Sequence, residues 1–265
     1  MDSFCLRSTL FPDGLRQHLD AHESRPYFGV MHPLDNPVWH ALTSRHAHLA
    51  VGAPPVLRYP PEVSPFAALE TPQALANLGE IIPDGGNNLI WADAVLDAPV
   101  GLERLVAFPV LQLVAEDFRP APVTVETRQL TAEDVPAILA LTELTRPGPF
   151  GTRTIEKGYF AGTFDGSRLI AMAGERMCLP GFTEITAICT HPDYQGRGLA
   201  RQMMAVVGNR IVAEGRTPFL HSLPDNTAAI RVYDSAGFKP RKLWQVNLFG
   251  RAGASTNSDG YFKGR

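Results

Sequence analysis

The stretch HPDYQGRGLARQMMAVV (residues 191–207) limits the folds open to this chain more than any other feature. The apolar segment FTEITAICT precedes it, and an amphipathic helical pattern through Leu199 and Met203 follows, so a strand runs into a helix through a turn containing Gly196 and Gly198. The first backbone N–H groups of a helix lack internal partners and lie at the positive end of the helix dipole. Glycine leaves these groups open, so the turn predicts a site for a phosphate or pyrophosphate.

Three kinds of phosphate site have a glycine turn of this type, and two of them do not fit the residues. A nucleotide P-loop needs Lys and then Ser or Thr after its last glycine, whereas Leu199 and Ala200 stand there. A dinucleotide-binding turn needs three glycines in the spacing G-x-G-x-x-G, and only Gly196 and Gly198 match it. The third kind, a cradle for the pyrophosphate of coenzyme A, fits the turn.

The second half of the chain predicts a regular α/β order. VTVETRQL alternates as a strand does, and Thr131 with Asp134 predicts a capped helix N-terminus. Asp165 and Gly166 predict the turn of a hairpin within GYFAGTFDGSRLIAMAGERM. The strands TEITAICT, PFLHSL and KLWQVNLF then alternate with two helices, the second of which ends at Gly237. The predicted order is strand, helix, hairpin, strand, helix, strand, helix, strand.

The first half, up to a proline-rich break at RPAPVTVE, predicts fewer elements and no chemical motif. Pro37 and Pro72 predict two helix starts. NNLIWADAVL and LVAFPVLQLV predict strands, and Pro109 makes the second an edge or bulged strand, because proline donates no hydrogen bond to a neighbouring strand. His46 and His48 have no carboxylate or thiol at metal-ligand spacing, so we expect no metal site.

Composition narrows the class of protein. The chain has 265 residues, of which 45% are hydrophobic, and shows neither a run of eighteen apolar residues nor a signal-peptide pattern. Its three cysteines, Cys5, Cys178 and Cys189, suit neither a disulfide framework nor a zinc site, which favours a reducing compartment. The net charge of −3 argues against nucleic acid as a partner. We therefore expect a cytoplasmic protein with no membrane, nucleic-acid or metal partner.

Charge is distributed unevenly along the chain. Residues 1–120 contain seven Arg, no Lys and fourteen Asp or Glu, a balance of −7, so residues 121–265 carry +4. The glycine turn lies in the basic part, where an anionic ligand is favoured. The acidic first part favours a cationic partner molecule, which in a transferase would be the acceptor.

The motif from Gln195 to Ala200 resembles the signature Gln-x-x-Gly-x-Gly/Ala of the GNAT superfamily of acetyltransferases, with Ala in its last position. The resemblance extends over residues 123–249 and includes the hairpin, Pro192 at the start of the loop, and the later pattern of Asn226, Tyr233, Gly237 and Phe238. It implies a GNAT fold for residues 121–250, an α/β fold with a mixed, mostly antiparallel sheet flanked by helices. It also implies that residues 1–120 are a smaller, degenerate GNAT-like α/β domain without a coenzyme motif. We expect the Gly- and Ser-rich residues 251–265 to form a flexible tail.

The resemblance implies an acyl-CoA-dependent N-acyltransferase. Such an enzyme moves an acetyl group from acetyl-CoA to a primary amine by direct attack, without a covalent enzyme intermediate. The implied acceptor is a small-molecule amine or amino acid, and a homodimer is left open as an assembly. Two alternatives stay open at this point: a non-catalytic acyl-CoA-binding or sensory module on the same scaffold, and a transferase that uses a longer acyl-CoA.

The resemblance also implies which residues bind the coenzyme. They occupy the end of the strand before the turn, the turn itself and the start of a later helix: Ile188, Cys189, Thr190, Gln195, Gly196, Arg197, Gly198, Leu199, Ala200 and Asn226. A backbone N–H of that strand is the group expected to polarise the thioester carbonyl. We expect the side chain of Cys189 to be a small buried apolar group rather than a nucleophile.

Two residues are implied as catalytic. Glu184, eleven residues before Gln195, takes the place of a general base, and Tyr233 that of an acid that protonates the departing thiolate. His221, on the strand PFLHSL, is the alternative base because the pKa of imidazole suits the task. The competing interpretations are structural: Glu184 pairs with Arg176, and both Tyr233 and His221 pack in the core.

Overall fold

The computed structural model describes residues 32–251, which form one eight-stranded sheet, one three-stranded sheet and the helices that pack on them. The strands are β1 (Val51–Ala53), β2 (Val56–Arg58), β3 (Ala67–Leu69), β4 (Asn87–Ala92), β5 (Leu102–Val114), β6 (Arg128–Gln129), β7 (Phe160–Asp165), β8 (Arg168–Leu179), β9 (Phe182–Thr190), β10 (Thr217–Ser222) and β11 (Lys239–Arg251). The α-helices are α1 (Pro37–Leu42), α2 (Leu78–Ile81), α3 (Val135–Thr145), α4 (Leu199–Ala213) and α5 (Thr227–Ser235). The predicted α/β class with a mixed, mostly antiparallel sheet flanked by helices is confirmed.

In the second half, the predicted hairpin and helix cap are both present, because each depends only on residues that are close together in the sequence. β7 and β8 form the predicted hairpin around Gly166, whose φ of 57° is in the left-handed region. Thr131 and Asp134 form the predicted capping box before α3. The strand expected over VTVETRQL is shorter than predicted and consists of β6 alone. The residues before β6 bond to a side chain and not to a neighbouring strand: the backbone N–H of Thr124 donates to the side chain of Gln202 at 2.7 Å.

Strand β5 has the most consequential position in the fold. The eight-stranded sheet has the order β4-β11-β5-β10-β9-β8-β7-β6, so β5 pairs with β11 on one side and with β10 on the other. Strands from the first half therefore complete the sheet of the second half, across the boundary predicted near residue 120. Apart from Arg251, the predicted tail (residues 251–265) lies outside the described residues, as does Cys5.

Of the two alternatives predicted from Pro109, the edge strand is wrong for β5 as a whole, whereas the bulged strand is present, because the register with β11 shifts at Leu105. Along its length β5 pairs with β11, and Pro109 stands opposite Gln245. On its other side, β10 pairs only with the segment from Leu111 to Val114. Pro109 therefore lies beyond the end of β10, where a residue without an N–H is tolerated.

β9 and β10 separate soon after they begin to pair. This parallel pair holds three matched positions, which end with Phe219 opposite Glu184. β9 then contains a bulge, since Ala187 and Ile188 together stand opposite Ala173 of β8, and Ala187 has a φ of 50°. The two strands leave a gap between their C-terminal ends, and the amphipathic helix α4 packs on the sheet beside it.

The position of β5 leads to a prediction about the fragment 121–265. Without residues 1–120, β10 and β11 have no strand between them and their apolar faces lack a partner, so we expect no cooperative thermal unfolding for this fragment. Adding residues 100–120 back restores β5 and is expected to restore a cooperative transition in part. Circular dichroism melting of both fragments beside the full chain checks this, and a cooperative transition in 121–265 alone would contradict it.

Candidate active site

The gap between β9 and β10 opens into a cavity of about 830 Å³. Its walls come from the ends of β9 and β10, the glycine turn, the N-terminal part of α5 and the loop at residues 146–149. Strands of the first half supply a further, apolar wall: Phe66, Leu89, Trp91, Phe108 and Val110, the first of which directly precedes β3. This wall contains no acidic residue, so the acidic character of the first half does not reach the cavity.

The glycine turn forms one end of the cavity. Gly196 has a φ of 76° and Gly198, which caps α4, a φ of 73°, so both positions require a residue that tolerates the left-handed region. A Cβ atom at either position would meet no atom within 4 Å. The space over the turn is therefore open, and the unpaired N–H groups at the start of α4 face it without obstruction.

The structure brings most of the predicted site residues to this cavity. Those that line it are Ile188, Cys189, Thr190, Gln195, Gly196, Gly198, Leu199, Ala200, Asn226 and Tyr233, together with His221. Two predicted residues do not line it, Glu184 and Arg197. The guanidinium of Arg197 instead lies 4.9 Å over the ring of Tyr194 and donates to the carbonyl of Asp193 at 3.4 Å.

Glu184 lies behind the cavity wall, with no exposed surface. Its Oε2 accepts from Nε of Arg176 at 2.8 Å, and its Oε1 accepts from Nη2 of Arg176 at 2.5 Å and from Nδ1 of His221 at 2.8 Å. Burial alone would raise the pKa of Glu184, but the charge and hydrogen bonds of Arg176, followed by those of His221, lower it to about 2. A carboxylate of this kind is a weak base, and its two oxygens are occupied.

His221 connects this buried carboxylate to the cavity. Its Nδ1 faces Glu184, and its Nε2 lies 3.2 Å from Nε2 of Gln112 on β5. Because the Oε1 of Gln112 accepts from Arg241 at 2.9 Å, its amide N–H is left to face the imidazole. This pattern requires a neutral His221 with its proton on Nδ1 and its lone pair on Nε2. Burial lowers the pKa of His221, although Glu184 acts in the opposite direction.

Tyr233 and Asn226 lie on the wall formed by α5 and the residue before it. Asn226 caps the helix, with its Oδ1 accepting from the N–H of Ala229 at 3.3 Å. Burial raises the pKa of Tyr233 to about 12, so the phenol keeps its proton at neutral pH. Among the residues that the structure describes, none forms a hydrogen bond with this hydroxyl, which leaves it free to donate to a ligand.

Cys189 is buried, and burial raises the pKa of its thiol to about 11. The thiolate is the nucleophilic form of cysteine, and a thiol with this pKa remains protonated at neutral pH. The structure thus gives Cys189 the character expected from the sequence, that of a small buried group.

Two side chains that contact His221 were not identified from the sequence, because both lie on strands of the first half. Trp91 contacts His221 with 4.4 Å between ring centroids, and Gln112 hydrogen-bonds to it. Gln112 is the single polar residue within the apolar run LVAFPVLQLV, and that is the one local signal of its role.

No group of three or more His, Cys, Asp or Glu side chains within residues 32–251 could hold a metal ion. In the same part of the chain, no helix is long and apolar enough to cross a membrane.

Comparison with known proteins identifies the family. Residues 160–246 match the model of the FR47-like protein family. A protein of Novosphingobium aromaticivorans, assigned to the GNAT acetyltransferases, is 36% identical and superimposes with a TM-score of 0.79, covering 84% of this chain and 100% of that one. A GCN5-related N-acetyltransferase of Kribbella flavida shares the fold, with a TM-score of 0.53, 17% identity, and coverage of 83% of this chain and 98% of that one. A search of curated proteins finds no match.

The chain belongs to the GNAT family of acetyltransferases, a class defined by acyl transfer.

The ion pair of Glu184 leads to a prediction about stability. Glu184→Gln leaves the Arg176 guanidinium, whose side chain is 11% exposed, without its counter-ion, and we expect a loss of about 3–5 kcal/mol in the free energy of unfolding at neutral pH. The pKa of Glu184 is lower in the folded chain, so its contribution is present above the ordinary value of 4.5 and is lost as pH falls towards about 2. The difference between variant and parent should therefore shrink over that range.

Denaturant unfolding of both proteins at a series of pH values measures this difference. Glu143→Gln, at an exposed position of α3, removes a carboxylate without an effect on the ion pair and serves as the control. A difference for Glu184→Gln that is the same at acidic and neutral pH would contradict the assignment.

Proposed function

We propose that this protein is an N-acetyltransferase that moves an acetyl group from acetyl-CoA to a primary amine by direct attack. The observation that supports this most is the cavity between the separated ends of β9 and β10. It has an open glycine turn at one end and a neutral imidazole on its wall. The two buried, unpaired thiols of Cys178 and Cys189 also support the proposed cytoplasmic location.

The residues present fit coenzyme A. The turn at residues 195–200 would hold the pyrophosphate, because its amides face open space and Gly196 and Gly198 put no side chain in the way. The edge of β9 at residues 188–190 has no paired strand on the β10 side, so its backbone groups would bind the pantetheine amides. A backbone N–H of this edge would stabilise the negative charge that develops on the thioester oxygen.

We propose that His221, rather than Glu184, receives the proton of the attacking amine. His221 is among the cavity-lining residues, with 2% of its side chain exposed and its Nε2 in contact with a neutral amide, whereas Glu184 has no exposed surface and is bonded at both oxygens to Arg176 and His221. The role of Glu184 is then to position the imidazole and to fix its proton on Nδ1, which leaves Nε2 as the acceptor. The amine, or one water between it and the ring, replaces the 3.2 Å contact with Gln112.

Tyr233 is the proposed acid. Tyr233 lines the cavity on the side of α5, and its hydroxyl is protonated at neutral pH. A phenol suits a thiolate leaving group because both hold their protons up to high pH. The proton therefore leaves the amine at His221 and reaches the sulfur from Tyr233. Cys189 retains its thiol proton, which agrees with direct attack and no covalent enzyme intermediate.

Coenzyme binding at the turn is tested by Gly198→Glu. The variant puts a carboxylate where the pyrophosphate would lie, and we expect the affinity for coenzyme A to fall at least 100-fold, a loss of about 2.7 kcal/mol. Gly215→Glu is a matched control, because Gly215 also has a positive φ, of 70°, and open space at its Cβ position but lies just past the opposite end of α4. Both variants bear the same kind of backbone strain. Calorimetry with coenzyme A on both folded proteins should show the loss at Gly198 alone, and equal affinities would contradict the placement.

The acid and base are tested by His221→Gln and Tyr233→Phe. Each should lower kcat by roughly 10²–10⁴, the usual contribution of a positioned acid or base. Because the pKa of His221 is below its ordinary value of 6.5, the parent profile of kcat/KM should fall on the acidic side of that value, and His221→Gln should lose this limb. Tyr233→Phe should leave the KM for acetyl-CoA nearly unchanged, because the lost interaction belongs to the transition state.

Thiol release from acetyl-CoA with a panel of amines measures these effects. Tyr159→Phe, which removes a phenol hydroxyl outside the cavity, is the control for Tyr233. Undiminished kcat in a folded His221→Gln protein would contradict its role as base. Coenzyme binding without thiol release from any amine would instead favour a non-catalytic acyl-CoA-binding module.

A further inference from the structure

We propose that the acceptor is an α-amino acid with an apolar side chain, and that Arg176 binds its carboxylate while His221 faces its amine. This assignment rests on the proposed function and narrows its acceptor. It concerns the end of the cavity away from the glycine turn, where Arg176, His221 and the apolar wall of the first half meet.

The charges on the cavity wall favour an acceptor that brings an anion. Arg146 and Arg176 line the cavity outside the glycine turn, Arg201 lines it in the first turn of α4, and no Asp or Glu lines it. The nearby carboxylate of Glu184 is buried and fully used by its partners. A simple amine would add a further positive charge to a wall that already holds arginines and offers no carboxylate. An amino acid brings its own carboxylate, which compensates the charge of its amine.

Arg176 has an unused donor group in the right place. Its Nε and Nη2 donate to Glu184, but its Nη1 has no hydrogen-bond partner among residues 32–251. The side chain is only 11% exposed, and that exposed part belongs to the cavity wall. A carboxylate there would accept a charge-assisted hydrogen bond from a guanidinium that is already held rigid by its pairing with Glu184.

Arg176 and His221 are held next to each other by the carboxylate of Glu184. The same oxygen, Oε1 of Glu184, accepts from Nη2 of Arg176 at 2.5 Å and from Nδ1 of His221 at 2.8 Å. Guanidinium and imidazole are therefore neighbours that share one carboxylate. A ligand that contacts both from the cavity side would carry its acid group and its amine close together, as an α-amino acid does.

The wall next to His221 fits an apolar side chain. Trp91 lies against the imidazole and meets Phe66 edge to face, with 5.7 Å between ring centroids. Phe108 and Val110 of β5 extend the same surface. Apolar and aromatic side chains gain by leaving water on such a surface, so phenylalanine and leucine are expected to bind more tightly than glycine.

The test compares pairs of ligands that differ in one group. Calorimetry is performed on the full chain saturated with coenzyme A, with L-phenylalanine beside 2-phenylethylamine, which lacks only the carboxylate, and glycine, which lacks the side chain. We expect L-phenylalanine to bind at least 10-fold more tightly than either. Equal affinities for L-phenylalanine and 2-phenylethylamine would overturn the proposal.

A variant then assigns the preference to Arg176. Arg176→Lys keeps a cation beside Glu184 but loses the free Nη1, so the ratio between L-phenylalanine and 2-phenylethylamine should fall towards one. Arg210→Lys makes the same change in an exposed ion pair of α4 and should leave the ratio unchanged. A ratio that survives in a folded Arg176→Lys protein would overturn the assignment, and if that variant does not fold, the parent comparison still decides.

Thiol release with the same ligands separates this inference from the proposed function. Acetylation of 2-phenylethylamine as efficient as that of L-phenylalanine would support the transferase and overturn the acceptor assignment. Tight, carboxylate-dependent binding of L-phenylalanine without any thiol release would support the binding site and contradict the transferase.

Discussion

Glu184 lies at the point where β9 and β10 stop pairing, and its buried carboxylate joins the strands around that point. It accepts from Arg176 on β8 and from His221 on β10, so one charged group holds three neighbouring strands where the sheet opens. The two partners also line the cavity. The interaction that offsets the cost of a buried carboxylate therefore also orients the proposed base, His221, and the arginine that we propose binds the acceptor.

The cavity depends equally on β5, which comes from the first half of the chain. By lying between β10 and β11, β5 extends beyond the end of β10 and leaves Phe108 and Val110 facing the opening. It also places Gln112 next to His221. The first half thus completes the sheet and forms the apolar wall of the site, while the glycine turn and the predicted coenzyme residues come from the second half.

Local chemistry explains which parts could be predicted from the sequence. The capping box at Thr131, the hairpin turn at Gly166 and the glycine turn at Gly198 each depend on a few adjacent residues, and all three have the predicted form. The place of β5 depends on pairing with strands more than a hundred residues away in the sequence, for which LVAFPVLQLV contains no signal. The position of Glu184, eleven residues before Gln195 in the sequence, predicts a general base. Its burial against Arg176 and His221 depends on contacts that form only when the sheet folds.

The central claim is that Glu184 holds a neutral His221 with its proton on Nδ1, so that the lone pair on Nε2, which faces the amide of Gln112, can accept a proton from the attacking amine. NMR titration of ¹⁵N-labelled histidine, with the signals assigned by comparison with His221→Gln, measures the protonation state and tautomer directly. The account predicts a neutral ring at neutral pH, protonated at Nδ1, and a pKa below the ordinary value of 6.5. A ring that is charged at neutral pH, or that carries its proton on Nε2, would contradict it.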